Sequence, residues 1–65
     1  MRENIYHEAN SRYCLTLDHD AENDKYIVKL EESINGEPDH YPLVFTFSNL
    51  ESAEEEYFNT KKYFF

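Results

Sequence analysis

The residues of this chain that could bind a metal or act as a nucleophile are few. Thiolate sulfur and imidazole nitrogen are the ligands that zinc prefers, and a cysteine beside a histidine is a common arrangement for nucleophilic catalysis. The chain has one cysteine and three histidines, which are His7, Cys14, His19 and His40. Whether they can act together depends on the elements that hold them.

Two predicted turns separate the histidines. His19 lies in the first turn and His40 beside the second, at opposite ends of a central strand of about nine residues. Because a strand rises about 3.3 Å per residue, the two histidines are more than about 20 Å apart. They therefore cannot share a metal. His7, Cys14 and His40 could approach one end of the sheet, but Cys14 alternates away from the apolar face. We predict no metal site and no cofactor.

Four carboxylates alternate between the first two strands: Asp18, Asp20, Glu22 and Asp24. This spacing resembles the start of a calcium loop, but Asn23 stands where an EF-hand needs glycine, and Lys29 where it needs the closing glutamate. The flanking segments are predicted strands rather than helices. We therefore predict a solvated acidic hairpin turn.

The remaining nucleophiles offer little support for catalysis. Ser48 is assigned to a helix cap, and no histidine lies within a recognisable motif of any serine. One glycine in 65 residues leaves no phosphate-binding loop, and a chain of this length has difficulty enclosing a dry pocket. We predict that the chain is not an enzyme.

The charge of the chain limits its partners. Fourteen acidic and six basic residues give a formal net charge of −8. Direct binding to nucleic acid or to an anionic membrane is disfavoured, because it depends on Lys and Arg neutralising phosphates. There is no apolar run of membrane-spanning length and no signal peptide after Met1. A single cysteine excludes an internal disulfide, so we expect a cytoplasmic protein.

Period-two alternation of apolar residues predicts three strands. Their inward residues are Tyr13, Leu15 and Leu17, then Tyr26, Val28 and Leu30, then Leu43, Phe45 and Phe47. Asn35-Gly36 predicts a two-residue turn that sets Val28 opposite Leu43. Pro38 and Pro42 make the third strand an edge strand, or lengthen the loop before it. The prediction is a three-stranded antiparallel meander with the second strand in the centre.

The two ends of the chain are predicted to differ. Residues 1–11 have no sustained period, so we expect a poorly ordered arm or a short edge strand, followed by one small domain over residues 12–65. Ser48 and Glu51 form a capping box, which predicts a helix from Asn49 to about Lys62. The fold class is therefore α+β, in the order βββα, with the helix packed on one face of the sheet.

The predicted helix has more aromatic surface than three strands can cover. Leu50, Ala53, Tyr57 and Phe64 form the stripe that faces the sheet, whereas Phe58 and Phe65 lie on a second arc, with Glu54 and Lys61 between the arcs. We therefore predict a homodimer and a regulatory or protein-binding function with an unidentified protein partner. The predicted interface is Glu54, Tyr57, Phe58, Lys61, Phe64 and Phe65.

Acidic residues support an alternative. Carboxylates can imitate the phosphates of DNA or RNA and thereby occupy the basic groove of a nucleic-acid-binding protein. The predicted mimic face is Asp18, Asp20, Glu22, Asp24, Glu51, Glu55 and Glu56. Salt would weaken such binding steeply and would weaken binding through aromatic residues much less.

Overall fold

Strands occupy the first part of the chain and a helix the last. The computed structural model describes residues 2–34, 37–38 and 42–65. Its elements are β1 (Arg2–Ala9), β2 (Tyr13–Asp20), β3 (Lys25–Ile34), β4 (Glu37–Pro38), β5 (Leu43–Phe47) and α1 (Leu50–Phe64). The α+β class with a C-terminal helix is confirmed.

The main sheet has four antiparallel strands, not three, in the order β1-β2-β3-β5, and the two-residue β4 pairs with the end of β3. The added strand is β1, which lies in the segment expected to be an arm or a short edge strand. Its alternation is hidden because the register shifts between Asn4 and Tyr6. Such a bulge adds one residue and reverses the face of those that follow.

The register of β5 differs from the predicted one by two residues. Val28 lies opposite Phe45 rather than Leu43. A shift by an even number of residues keeps the same side chains on the same face of the sheet. The predicted faces are therefore correct, although the predicted cross-strand partner of Val28 was wrong. The predicted Asn35-Gly36 turn lies outside the described residues. The flanking residues Ile34 and Glu37 pair in the predicted register, whereas β5 is offset from it by two residues.

The core lies between the helix and the middle strands. Its buried members are Leu15, Leu17, Val28, Leu30, Ala53 and Tyr57. All six belong to the predicted inward set. Two other members, Leu43 and Phe45, are instead exposed. The helix packs mainly on β2 and β3, so it leaves the beginning of β5 uncovered.

The helix begins one residue later than the predicted capping box requires. Asn49 is the N-cap, and its Oδ1 accepts a hydrogen bond from the backbone N–H of Ser52 at 2.8 Å. Ser48 instead accepts a hydrogen bond from Lys25 Nζ at 3.3 Å. The Ser48 cap was therefore wrong: serine and asparagine cap equally well, and the neighbouring strand decides which is free to do so. At the other end the helix continues to Phe64, beyond Lys62.

Candidate interaction surfaces

The side of the helix nearest β1 holds most of the predicted interface, and Tyr6 contacts much of it. The Tyr6 ring stacks on Tyr57 with centroids 5.2 Å apart and meets Phe58 edge-on at 5.4 Å. Its hydroxyl donates to Glu54 Oε2 at 2.8 Å. Donation to a carboxylate, together with partial burial, raises the pKa of Tyr6 above its ordinary value. Strand β1 thus covers part of the arc that the sequence left for a partner.

The two charged residues of the predicted interface have partners within the chain. Lys61 Nζ lies 3.2 Å from Glu8 Oε1, and Glu54 is the acceptor for Tyr6. Both contacts connect α1 to β1. A reciprocal Glu54–Lys61 pair between two copies would therefore compete with contacts already made.

Tyr57 belongs to the core rather than to a surface. It is 1% exposed, and its hydroxyl has no hydrogen-bond partner among the described residues. Burial, followed by the negative charge of Glu8, raises the pKa of Tyr57 to about 12. The residue fills space beneath Tyr6 and presents nothing to a partner.

The end of the helix packs on Tyr13 and leaves rings exposed. Phe64 meets Tyr13 edge-on at 5.1 Å, and Phe65 lies against it at 6.4 Å. Phe58 is 46% exposed and Phe65 41%. We call Phe58, Lys61 and Phe65 the aromatic surface, since the two rings lie two helical turns apart with the lysine between them. Of the six predicted interface residues, Phe58 and Phe65 are exposed and Tyr57 is buried, while three are partly buried: Glu54, Lys61 and Phe64.

The acidic turn between β2 and β3 is organised by its own side chains. Asp20 accepts hydrogen bonds from Asn23 Nδ2 at 3.0 Å and from the Glu22 backbone at 3.2 Å, and the Asn23 amide is the main cause of the lowered pKa of Asp20. Asp24 adopts a positive φ of 51° and lies 3.1 Å from His19 Nε2. The predicted hairpin turn is therefore present, but it spans residues 21–24 only, because Asp18, His19 and Asp20 pair with β3 as part of β2.

The remaining acidic residues lie at two places along the helix. Glu51 is exposed in the first turn, close to the point where Lys25 bonds to Ser48. Glu55 and Glu56 line an open cleft of about 240 Å³. Its other lining residues are Phe47, Ser52 and Asn59. The cleft lies between the helix and the end of β5, on a side of the helix different from the one that contacts β1.

His7 and Cys14 meet on the face of the sheet that the helix does not cover. Cys14 Sγ lies 3.4 Å from His7 Nε2. His40, the third candidate ligand, lies outside the described residues. Within residues 2–34, 37–38 and 42–65, no three His, Cys, Asp or Glu side chains are grouped so that they could hold a metal ion. The contact is a pair of side chains on an open sheet.

Strand β5 is the edge strand that the prolines predicted, but two of its residues predicted to face inward, Leu43 and Phe45, are exposed. Leu43 is 50% exposed, Val44 52% and Phe45 38%. We call these residues, with Thr46 and Phe47, the β5 edge. Pro42, immediately before the strand, was the signal for the edge, because proline is confined to edge strands or strand starts. The alternation of β5 nevertheless resembles that of a covered strand.

Comparison with known proteins finds no family model, no curated protein and no solved structure that matches this chain. No helix among the described residues is long and apolar enough to cross a membrane. A function must therefore be argued from the surfaces themselves.

Proposed function

We propose that this chain is a small, non-catalytic protein-binding module that acts through its aromatic surface and forms a homodimer. The observation that carries the proposal is the exposure of Phe58 and Phe65, which lie two turns apart along one side of the helix and its C-cap. Aromatic side chains, phenylalanine included, are enriched at protein interfaces relative to the rest of the surface. Removing the exposed parts of both rings from water would stabilise a complex in proportion to the area buried.

The surface has the layout expected of an interface. The rings are held from behind, Phe58 by Tyr6 and Phe65 by Tyr13, so little side-chain freedom is left to lose on binding. Between them, Lys61 and its partner Glu8 supply a polar contact that is half exposed. The rings would provide the affinity, and this exposed ion pair would add no more than about 1 kcal/mol.

The test compares oligomeric state across three serine variants. Phe58→Ser and Phe65→Ser should each shift the protein from dimer towards monomer in light scattering after gel filtration, because each removes one anchor. Tyr63→Ser is the matched control, since Tyr63 is 85% exposed and lies on another side of the helix. Wild-type protein that stays monomeric at high concentration would contradict the homodimer. Equal effects of all three variants would contradict the assignment of the surface.

Absence of catalysis is part of the same proposal. Its support is that the cleft beside β5 is open and is lined by two carboxylates without a histidine or cysteine. The His7–Cys14 pair lies elsewhere, on the helix-free face of the sheet. A cytoplasmic location stays a prediction.

A second candidate function, mimicry of a nucleic acid, has one favouring observation. Lys25 connects to Ser48, and this contact brings the acidic β2–β3 turn and the start of the helix to the same end of the molecule. Mimicry would require a basic partner whose affinity falls steeply between low and high salt. Affinity capture at both salt concentrations distinguishes it from binding through Phe58 and Phe65.

A further inference from the structure

The two edges of the sheet differ in how they discourage pairing with another strand. Strand β1 carries charged residues, including Arg2, Glu3 and Glu8, and a bulge between Asn4 and Tyr6. Charges and bulges are the devices by which natural edge strands avoid further pairing. Strand β5, with the sequence LVFTF, has no charge and no register shift against β3. Among the described strands, β5 pairs with β3 alone.

An unprotected edge offers both hydrogen bonds and apolar contacts. Alternate residues of β5 turn their backbone N–H and C=O groups away from β3, where an added strand could bond to them. Leu43 and Phe45 would contact its side chains on the helix face, and Val44 on the other face.

The cleft beside β5 indicates the charge of the occupant. Glu55 and Glu56 line it together with Phe47, the last residue of the strand. A side chain of an added strand that lies beside Phe47 on the helix face would therefore meet two carboxylates. Lysine or arginine fits that position, and the net charge of −8 would attract such a segment from a distance.

We propose that the β5 edge binds an extended, basic and apolar segment of a partner protein by strand addition, with a Lys or Arg side chain in the cleft formed by Glu55 and Glu56. A second copy of this chain fits less well, because pairing β5 with β5 about a two-fold axis would bring both acidic clefts to the same interface. This edge lies on the opposite side of the sheet from β1 and the aromatic surface that contacts it. Either proposal can therefore fail without the other.

The test uses a synthetic probe, an eight-residue peptide of alternating lysine and valine, with alternating glutamate and valine as the charge control. Adding the lysine peptide should shift the amide resonances of Leu43–Phe47 in nuclear magnetic resonance spectra. Fluorescence anisotropy then gives the Kd. The variant E55Q/E56Q should bind the lysine peptide about three- to tenfold more weakly, as expected for two exposed ion pairs.

Matched variants separate the cleft from general attraction to an acidic protein. E3Q/D18N removes the same charge from two sites on β1 and β2, outside the cleft, and it should change the Kd by less than about twofold because salt screens distant charges. Val44→Lys places a like charge on the edge itself and should also weaken binding. Circular dichroism verifies that each variant folds.

Three results would overturn the proposal. The first is resonance shifts that map away from β5, and the second is equal weakening by E55Q/E56Q and E3Q/D18N. The third is a wild-type dimer that Val44→Lys dissociates and Phe58→Ser leaves intact, because the occupant of the edge would then be a second copy of the chain.

Discussion

Tyr57 combines two opposite contributions to stability in one side chain. Its ring fills the core beneath Tyr6, which favours folding. Its buried hydroxyl has no partner among the described residues, and leaving such a group without a hydrogen bond costs roughly 1–3 kcal/mol. The ring and the hydroxyl can be separated experimentally, because phenylalanine keeps one and removes the other.

Tyr57→Phe should raise the free energy of unfolding, by up to about 1–3 kcal/mol, since it removes an unsatisfied polar group without removing the ring. Urea unfolding followed by circular dichroism measures the change. Tyr63→Phe is the control, because Tyr63 is exposed and should change stability by less than about 0.5 kcal/mol. A clear loss of stability in Tyr57→Phe would mean that the hydroxyl is hydrogen-bonded after all.

The same burial predicts how stability depends on alkaline pH. The pKa of Tyr57 is about 12 in the folded chain and 10.0 for an ordinary tyrosine. Between these values the unfolded chain loses the Tyr57 proton and the folded chain keeps it. The contribution of neutral Tyr57 to the free energy of unfolding is therefore fully present below pH 10. It falls as pH rises towards 12, by on the order of 2–3 kcal/mol.

Urea unfolding at pH 9 and pH 11 tests this dependence. The free energy of unfolding of Tyr57→Phe should decrease less than that of wild type, because the variant lacks the hydroxyl that titrates at this position. Tyr6, whose pKa is also raised, should add a decrease of the same sign in both proteins. Identical decreases in wild type and Tyr57→Phe would contradict the assignment to Tyr57.

At the scale of elements, two residues connect the end of β5 to the start of α1, and either could cap the helix. Ser48 and Asn49 are both good N-cap residues. Lys25, the first residue of β3, bonds to Ser48, and Asn49 with φ −139° and ψ 156° has the extended backbone of an N-cap. Contact with another strand therefore places the helix start.

Asn49→Ala should cost roughly 0.5–2 kcal/mol, because the Ser52 amide loses its acceptor. Ser48→Ala should cost less, since it removes only an exposed contact with Lys25 at 3.3 Å. Thermal unfolding of the two variants side by side measures the difference. A larger loss for Ser48→Ala would restore the capping box predicted from the sequence.

Strand β1 covers part of the helix surface that a three-stranded sheet would leave exposed. It brings Tyr6 against Phe58 and Glu54, and Glu8 against Lys61. A three-stranded sheet would have left all of this surface to a partner. With four strands, only the aromatic surface remains, and the case for a homodimer depends on Phe58 and Phe65 rather than on charged pairs.

At the scale of the whole molecule, the net negative charge destabilises the folded state. A net charge of −8 on 65 residues means that carboxylates repel one another more in the folded chain than in the unfolded one. The ion pairs between described residues that offset this repulsion are at least partly exposed. The balance should respond to ionic strength.

Raising sodium chloride from about 20 to 500 mM should increase the thermal midpoint by a few degrees, because the Debye length falls from tens of ångströms to a few. Differential scanning calorimetry measures the shift. The double variant E55Q/E56Q should show a smaller increase, since part of the repulsion is already removed. A midpoint that falls with salt would mean that attractive ion pairs dominate instead.

The sequence by itself determined the class of the fold and most of its core. Alternation at 13/15/17 and 26/28/30 reports which side chains share a face, and burial then follows once the helix stripe covers that face. These are local periods, which a single segment carries without reference to any other. Composition likewise determined the acidity, which limits the partners.

Only the tertiary structure decided which strands the helix covers and which surfaces remain exposed. The bulge after Asn4 hides the alternation of β1, and the two-residue offset of β5 changes the cross-strand partner of Val28 while preserving its face. Leu43 and Phe45 have the pattern of core residues, yet the helix crosses β2 and β3 and leaves them exposed. Periodicity specifies the face of a side chain, whereas coverage of that face depends on the path of a distant element, which no local pattern encodes.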